Sequence, residues 1–171
     1  TIVPHAPYSV PPTLLEEIRN SFDNKDDLFT IHMQETSDEN KLFKKIDGKL
    51  LAWLESTHAS SEIWEKRNNS TDVLKELVSK KILLVHNTFA KKEDMTDNYY
   101  CTCPKANLYI ENSLPDYFIL NPEKLCVGTD SLASNNSLSI LEELLIIQKN
   151  SDFDLNTLLK IACKNGAEAI G

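Results

Sequence analysis

Three polar residues close three apolar runs of this 171-residue sequence. His32 follows Phe29-Thr30-Ile31, His86 follows Leu83-Leu84-Val85, and Asp130 ends Cys126-Val127-Gly128-Thr129. Two imidazoles and a carboxylate converging on one point form a ligand set that a hydrolytic Zn²⁺ or Fe²⁺ uses. Glu35, just past His32, adds a group that can accept a proton from a metal-activated water and pass it to a leaving group. His5 lies in Pro4-His5-Ala6-Pro7-Tyr8, a rigid loop suited to presenting an imidazole. Each residue also has an ordinary structural reading. A lone polar group at a strand end is commonly just hydrogen-bonded, a Glu in a first helical turn is favoured by the helix dipole, and a His in such a loop is as readily a turn residue. The fourth histidine, His58, falls in a polar loop and reads as solvated.

Composition removes other chemistries. The four glycines, Gly48, Gly128, Gly166 and Gly171, are too scattered to build a phosphate-cradling loop, and no G-x-S-x-G elbow exists. With 18 Lys+Arg against 26 Asp+Glu the formal net charge is -8, so nucleic acid is not an expected partner. The longest apolar runs, such as Ile82-Leu83-Leu84-Val85, are too short to span a bilayer. Cys101, Cys103, Cys126 and Cys163 do not read as a secreted disulfide framework, which points to a reducing, cytoplasmic compartment. Cys101 and Cys103 share one face of a predicted strand, but C-x-C without a second cluster is a weak metal signature. Cys126 reads as a buried free thiol.

The elements that must position these residues follow from periodicity. After Pro11-Pro12 a helix is predicted, with Thr13 and Glu16 at capping-box spacing and Leu14, Leu15, Ile18 and Phe22 on one stripe. Leu28 to Ile31 reads as a buried strand. Thr36 and Glu39 repeat the capping spacing before a helical region through Leu42, Phe43, Ile46, Leu50, Trp53 and Leu54, with Gly48 as its point of interruption. A loop from His58 to Ser70, carrying a short helix at Ile63-Trp64, precedes a helix marked by Val73, Leu74, Leu77 and Val78. Strands follow at Ile82–Val85, Tyr99–Cys103 (ended by Pro104) and Leu125–Val127, with a short helix around Glu93. Two helices close the chain, near Leu138–Gln148 and Leu155–Lys164. With the extended Thr1-Ile2-Val3 the count is five strands in a single domain, 1–171. Apolar strands separated by helices predict a parallel α/β sheet, whose ligands bind at the C-terminal rim of the strands.

Taken in order, P-H-A-P-Y (4–8), H-M-Q-E (32–35), L-V-H-N (84–87), C-P-K-A-N (103–107) and G-T-D-S (128–131) resemble the metal-dependent amidohydrolase superfamily. The likeness is to its aminohydrolase branch of guanine deaminases, adenosylhomocysteine-type deaminases and triazine chlorohydrolases. It covers essentially the whole chain and closes on N-G-A-E-A-I-G (165–171). The resemblance implies a partial (β/α)8 TIM barrel, strands four to eight with their helices, and one divalent metal, zinc or iron. It makes His32 and Asp130 metal ligands and Glu35 a proton shuttle to a substrate ring nitrogen. It also gives Asp130 the proton of the attacking water. His86 orients that water or stabilises the tetrahedral intermediate, at a position that binds a second metal in two-metal relatives. His5 contacts the substrate, an aminated heterocycle of purine, pyrimidine or triazine type. Ala106 stands where many relatives carry serine, and Asn107 is expected to shape its loop.

Two departures set further expectations. No H-x-H occurs, although the family's first strand takes two metal ligands from one. Nor is there room for three preceding strand–helix units or a small β-sandwich domain. The chain is therefore expected to be part of a longer enzyme. Alone it should be inactive, hold little or no metal, and expose a sheet edge that favours self-association. The alternatives are a chlorohydrolase reaction at the same site and a non-catalytic, flavodoxin-like module with structural histidines.

Overall fold

The computed structural model describes residues 2–22, 27–57, 64–77 and 81–171. Four strands, β1 (Leu28–Met33), β2 (Lys81–His86), β3 (Tyr99–Thr102) and β4 (Leu125–Val127), form one parallel sheet in chain order. Leu28 pairs with Lys81 and Met33 with His86; Cys101 pairs with Cys126. In β1 and β2 every second residue is buried, namely Phe29, Ile31, Met33, Ile82, Leu84 and His86. The intervening residues line a half-exposed second face. The expected fifth strand does not form: Ile2 is 75% exposed, and Thr1 lies outside the described residues. Its segment meets the sheet through a main-chain bond from the His32 N–H to the His5 carbonyl, 2.9 Å, a contact at the rim and not a ladder.

The first helix, α1 (Pro12–Asn20), buries Leu15 and Ile18. It starts one residue before the predicted cap, with Pro11 at the N-cap and no side-chain cap, so the Thr13–Glu16 box is not made. Proline supplies the helical φ and has no N–H to satisfy, which suits it to that first position. Thr36 does cap α2 (Ser37–Lys45), accepting from the Glu39 N–H at 3.3 Å. The helical region breaks at Ile46 and Gly48 before α3 (Lys49–Ser56). Residues Ser70–Leu77 form a 3₁₀-helix where an α-helix is predicted; His58, Ile63 and Val78 lie outside the described residues.

Pro104 both ends β3 and opens α4 (Pro104–Glu111), a helix the sequence reading lacks. The chain closes with α5 (Ile140–Lys149), α6 (Leu155–Leu159), a π-turn at Lys160–Lys164 and α7 (Asn165–Ile170). The fully buried Asn165 amide donates to the Pro122 and Leu125 carbonyls, both at 2.7 Å, tying this last helical unit to the start of β4. Phe29, Ile31, Met33, Leu42, Leu84, Leu125, Ile147 and Ile161 form the centre of the core. No helix among the described residues is long and apolar enough to cross a membrane.

Gly48 has φ +112 and ψ 177, a conformation essentially restricted to glycine. Gly48→Ala should therefore cost about 1–3 kcal/mol in urea unfolding. Gly166, helical and with open space around it, should behave oppositely, Gly166→Ala gaining roughly 0.5–1 kcal/mol. Equal effects at the two positions would contradict this assignment.

Candidate active site

The C-terminal ends of β1, β2 and β4 bring His32, His86 and Asp130 to one rim, where one ligand atom from each lies within 4.8 Å of the others. The His32 and His86 rings stack with centroids 5.1 Å apart and planes at 26°. His5 lies 4.7 Å from His32 by ring centroids. The His5 carbonyl accepts from the His32 main chain and also from His32 Nδ1–H, at 2.8 Å. Because a carbonyl can only accept, His32 carries its proton on Nδ1 and keeps the Nε2 lone pair free.

His86 is held in the same way from another direction. Its Nδ1–H donates to Asn107 Oδ1 at 2.8 Å, both groups being buried. That leaves Nε2 buried without a hydrogen-bond partner, 3.4 Å from Glu35 Oε1. An orphaned imidazole lone pair facing an imidazole and a carboxylate fits a divalent cation. The alternation of β2 places His86 with Ile82 and Leu84 on the buried face. Its left-handed backbone, φ +73, ends the extended strand there, and the ring stacks against His32. Gln34, Asn87 and Asp130 share this conformation, with φ +50, +55 and +58.

Carboxylates behind the rim hold it. Glu39, fully buried in α2, accepts from the Gln34 N–H at 2.8 Å and the Glu35 N–H at 3.3 Å. Burial pushes its carboxyl up to about 7, against the opposing pull of the Ser70 hydroxyl and those two amides. Glu143 of α5 accepts from the Lys105 N–H of α4 at 2.8 Å and from the Asn135 amide at 2.7 Å; Asn135 also donates to the Thr129 carbonyl. For Asp130, burial opposes ionisation. The Ser134 hydroxyl, the Ser131 amide and the facing His86 and His32 outweigh it, leaving the carboxyl below its ordinary range. His5 is lowered, by burial first and His32 second.

All five predicted site residues, His5, His32, Glu35, His86 and Asp130, thus meet at one rim. Asn107 differs from expectation, sitting in the first turn of α4 and bonding His86 instead of shaping a loop. Glu39 carried a signal, its spacing from Thr36, but its carboxylate reaches Gln34 and Glu35. Glu143 carried none, because its partners are 38 and 8 residues away.

The model of the amidohydrolase family matches residues 1–171. The chain belongs to the amidohydrolase family. It is 29% identical over 191 residues to a 5-methylthioadenosine/S-adenosylhomocysteine deaminase of Thermococcus sibiricus, covering 98% of this chain and 39% of that protein. It is 27% identical over 183 residues to an adenosine deaminase of Helicobacter pylori, covering 97% and 44%. The crystal structure of Helicobacter pylori aminofutalosine deaminase superposes with a TM-score of 0.82 at 25% identity, over 99% of this chain and 46% of that one. A Clostridium acetobutylicum guanine deaminase at 16% identity and TM-score 0.64, covering 95% and 40%, shares the fold. This amidohydrolase chain therefore spans about two fifths of the length of the curated relatives it matches, and its four-stranded sheet is part of the family's TIM barrel.

Asn107→Ala should leave the His86 Nδ1–H buried and unpaired, costing about 1–3 kcal/mol and shifting the His86 tautomer seen by ¹⁵N NMR; an unchanged tautomer would remove Asn107 from the site. A second outcome concerns Glu39. Its folded value lies above the ordinary value of about 4.3, so its stabilising protonation is complete below that pH and lost as pH rises through about 7. Between pH 5 and 8 the native chain should lose stability relative to Glu39→Gln; parallel urea curves would contradict the assignment.

Proposed function

We propose that this chain supplies part of the active site of a deaminase that hydrolyses the exocyclic C–N bond of an aminated heterocycle, with a 6-aminopurine nucleoside as substrate. The observation that carries the reading is the convergence of His32, His86 and Asp130 within 4.8 Å. The relatives named methylthioadenosine/adenosylhomocysteine, 5′-deoxyadenosine and adenosine deaminases support the substrate class. His32 and Asp130 would hold one divalent metal, zinc or iron, with His86 Nε2 aimed at the same point. When bound, the metal would supply a nucleophile near neutral pH by lowering the pKa of a water.

The chain's own groups then have distinct tasks. Asp130, kept ionised by Ser134 and the facing imidazoles, accepts the proton of the attacking water. Glu35, beside His86 Nε2, delivers a proton to the ring nitrogen, so that the ring carbon becomes tetrahedral without building charge on the ring. His86, its tautomer set by Asn107, orients the water and stabilises the tetrahedral centre. His5, at the outer end of the row of imidazoles, contacts the substrate. Asp130 then returns its proton to the amino group, the C–N bond breaks to release ammonia, and the hydroxyl proton passes back to Glu35 as the ring carbonyl forms.

In the complete enzyme, Glu35→Gln should lower ammonia release from 5′-deoxyadenosine by about 10²–10⁴-fold with zinc content unchanged. Asp130→Ala should lose both zinc and activity. Full turnover by Glu35→Gln would sink the mechanism. The 171-residue chain, which lacks the family's H-x-H, should bind zinc weakly and release no ammonia; stoichiometric zinc with turnover would show that its own ligands suffice.

A further inference from the structure

The proposed mechanism leaves one motif unused, Cys101-Thr102-Cys103. Cys101 stands opposite Cys126 in the β3–β4 register, and the Gly128 N–H continues that ladder by donating to the Thr102 carbonyl at 2.9 Å. All four cysteines are free. A Cβ on Gly128 would stand 3.2 Å from Cys101 Sγ and 3.4 Å from Cys103 Sγ, so the glycine keeps both sulfurs uncrowded on one side. The Asp130 and Glu143 carboxylates both oppose a negative charge on Cys103. Two adjacent sulfurs under a residue without a side chain, in a negative surrounding, make a donor set unlike the nitrogen and oxygen set at the rim.

We propose that Cys101 and Cys103 form a two-sulfur binding site for a soft closed-shell cation, such as Cd²⁺, Hg²⁺ or Cu⁺, seated beside Gly128. Thiolates prefer such ions over the harder cations that carboxylates and water favour. Binding exchanges two S–H bonds for two S–metal bonds, and both protons leave to solvent. The neighbouring Cys101 thiol, then burial, keeps Cys103 a thiol in the free chain, so the cation must displace its proton. Cys101 is only partly buried, which gives the ion a way in.

The site is tested on this chain by titrating the reduced, metal-free protein with CdCl₂ and recording the ultraviolet sulfur-to-cadmium charge-transfer band. Cadmium held only by His32, His86 and Asp130 gives no such band, so the readout does not depend on the deaminase reading. The expected result is a band saturating at one equivalent. Cys101→Ser and Cys103→Ser should each raise the dissociation constant at least about tenfold. Cys163→Ser and His86→Ala should leave the band intact, and Gly128→Ala should weaken binding. Far-ultraviolet circular dichroism identifies any variant that fails to fold, and Gly128→Ala tests the site with both sulfurs kept. Absence of the band in the native chain, or its persistence at full affinity in both serine variants, would overturn the proposal.

Discussion

The rim is built where the strands stop obeying β geometry. Gln34, His86, Asn87 and Asp130 all hold left-handed backbone, which costs a residue other than glycine about 1–3 kcal/mol. Asparagine tolerates it best, and the Asn87 side chain helps by donating to the Leu84 carbonyl at 2.8 Å. Asp130 gains similar relief, its carboxylate accepting from the nearby Ser134 hydroxyl, whereas Gln34 and His86 depend on more distant partners. Their conformation persists because neighbouring groups over-determine it, and the direction in which His86 and Asp130 point depends on that support.

The support is a layer of buried polar groups between the sheet ends and the helices. Glu39 grips the Gln34–Glu35 amides; the Gln34 side chain donates to Asp94 Oδ2 at 3.1 Å. Asp94 also accepts from the Lys91 N–H at 2.9 Å and from the Asn69 amide. The Glu39 and Asp94 carboxylates, each nearly dry, are tolerable because several donors converge on them. Such networks fix geometry more than they add stability, since removing one member strands the rest.

Much of the fold and rim was legible because both rest on local pattern. Apolar strands terminated by His32, His86 and Asp130 announce a parallel sheet with one polar end, and the Gly48 break and Thr36 cap follow from single-residue conformational preference. What stayed hidden was long-range or dual in meaning. Pro104 was read as a strand stop when it also starts α4, and this concealed that Asn107 lies on a helix facing His86. Ile2 and Val3 read as strand by composition, yet composition is silent on whether a neighbour is there to pair with. The Glu39 spacing pointed to a helix end; only the chain's path shows its carboxylate under the Gln34–Glu35 turn.

Glu143 gives the outer helices an unexpected reach. Sitting in α5, outside the rim itself, it accepts from the start of α4, which carries Asn107, and through Asn135 steadies the carbonyl before Asp130. One carboxylate thus sets the spacing between the support of the imidazole and the acid itself. Selection acting on the geometry of the rim would accordingly leave its mark on an outer helix, at a side chain that is not itself part of the rim.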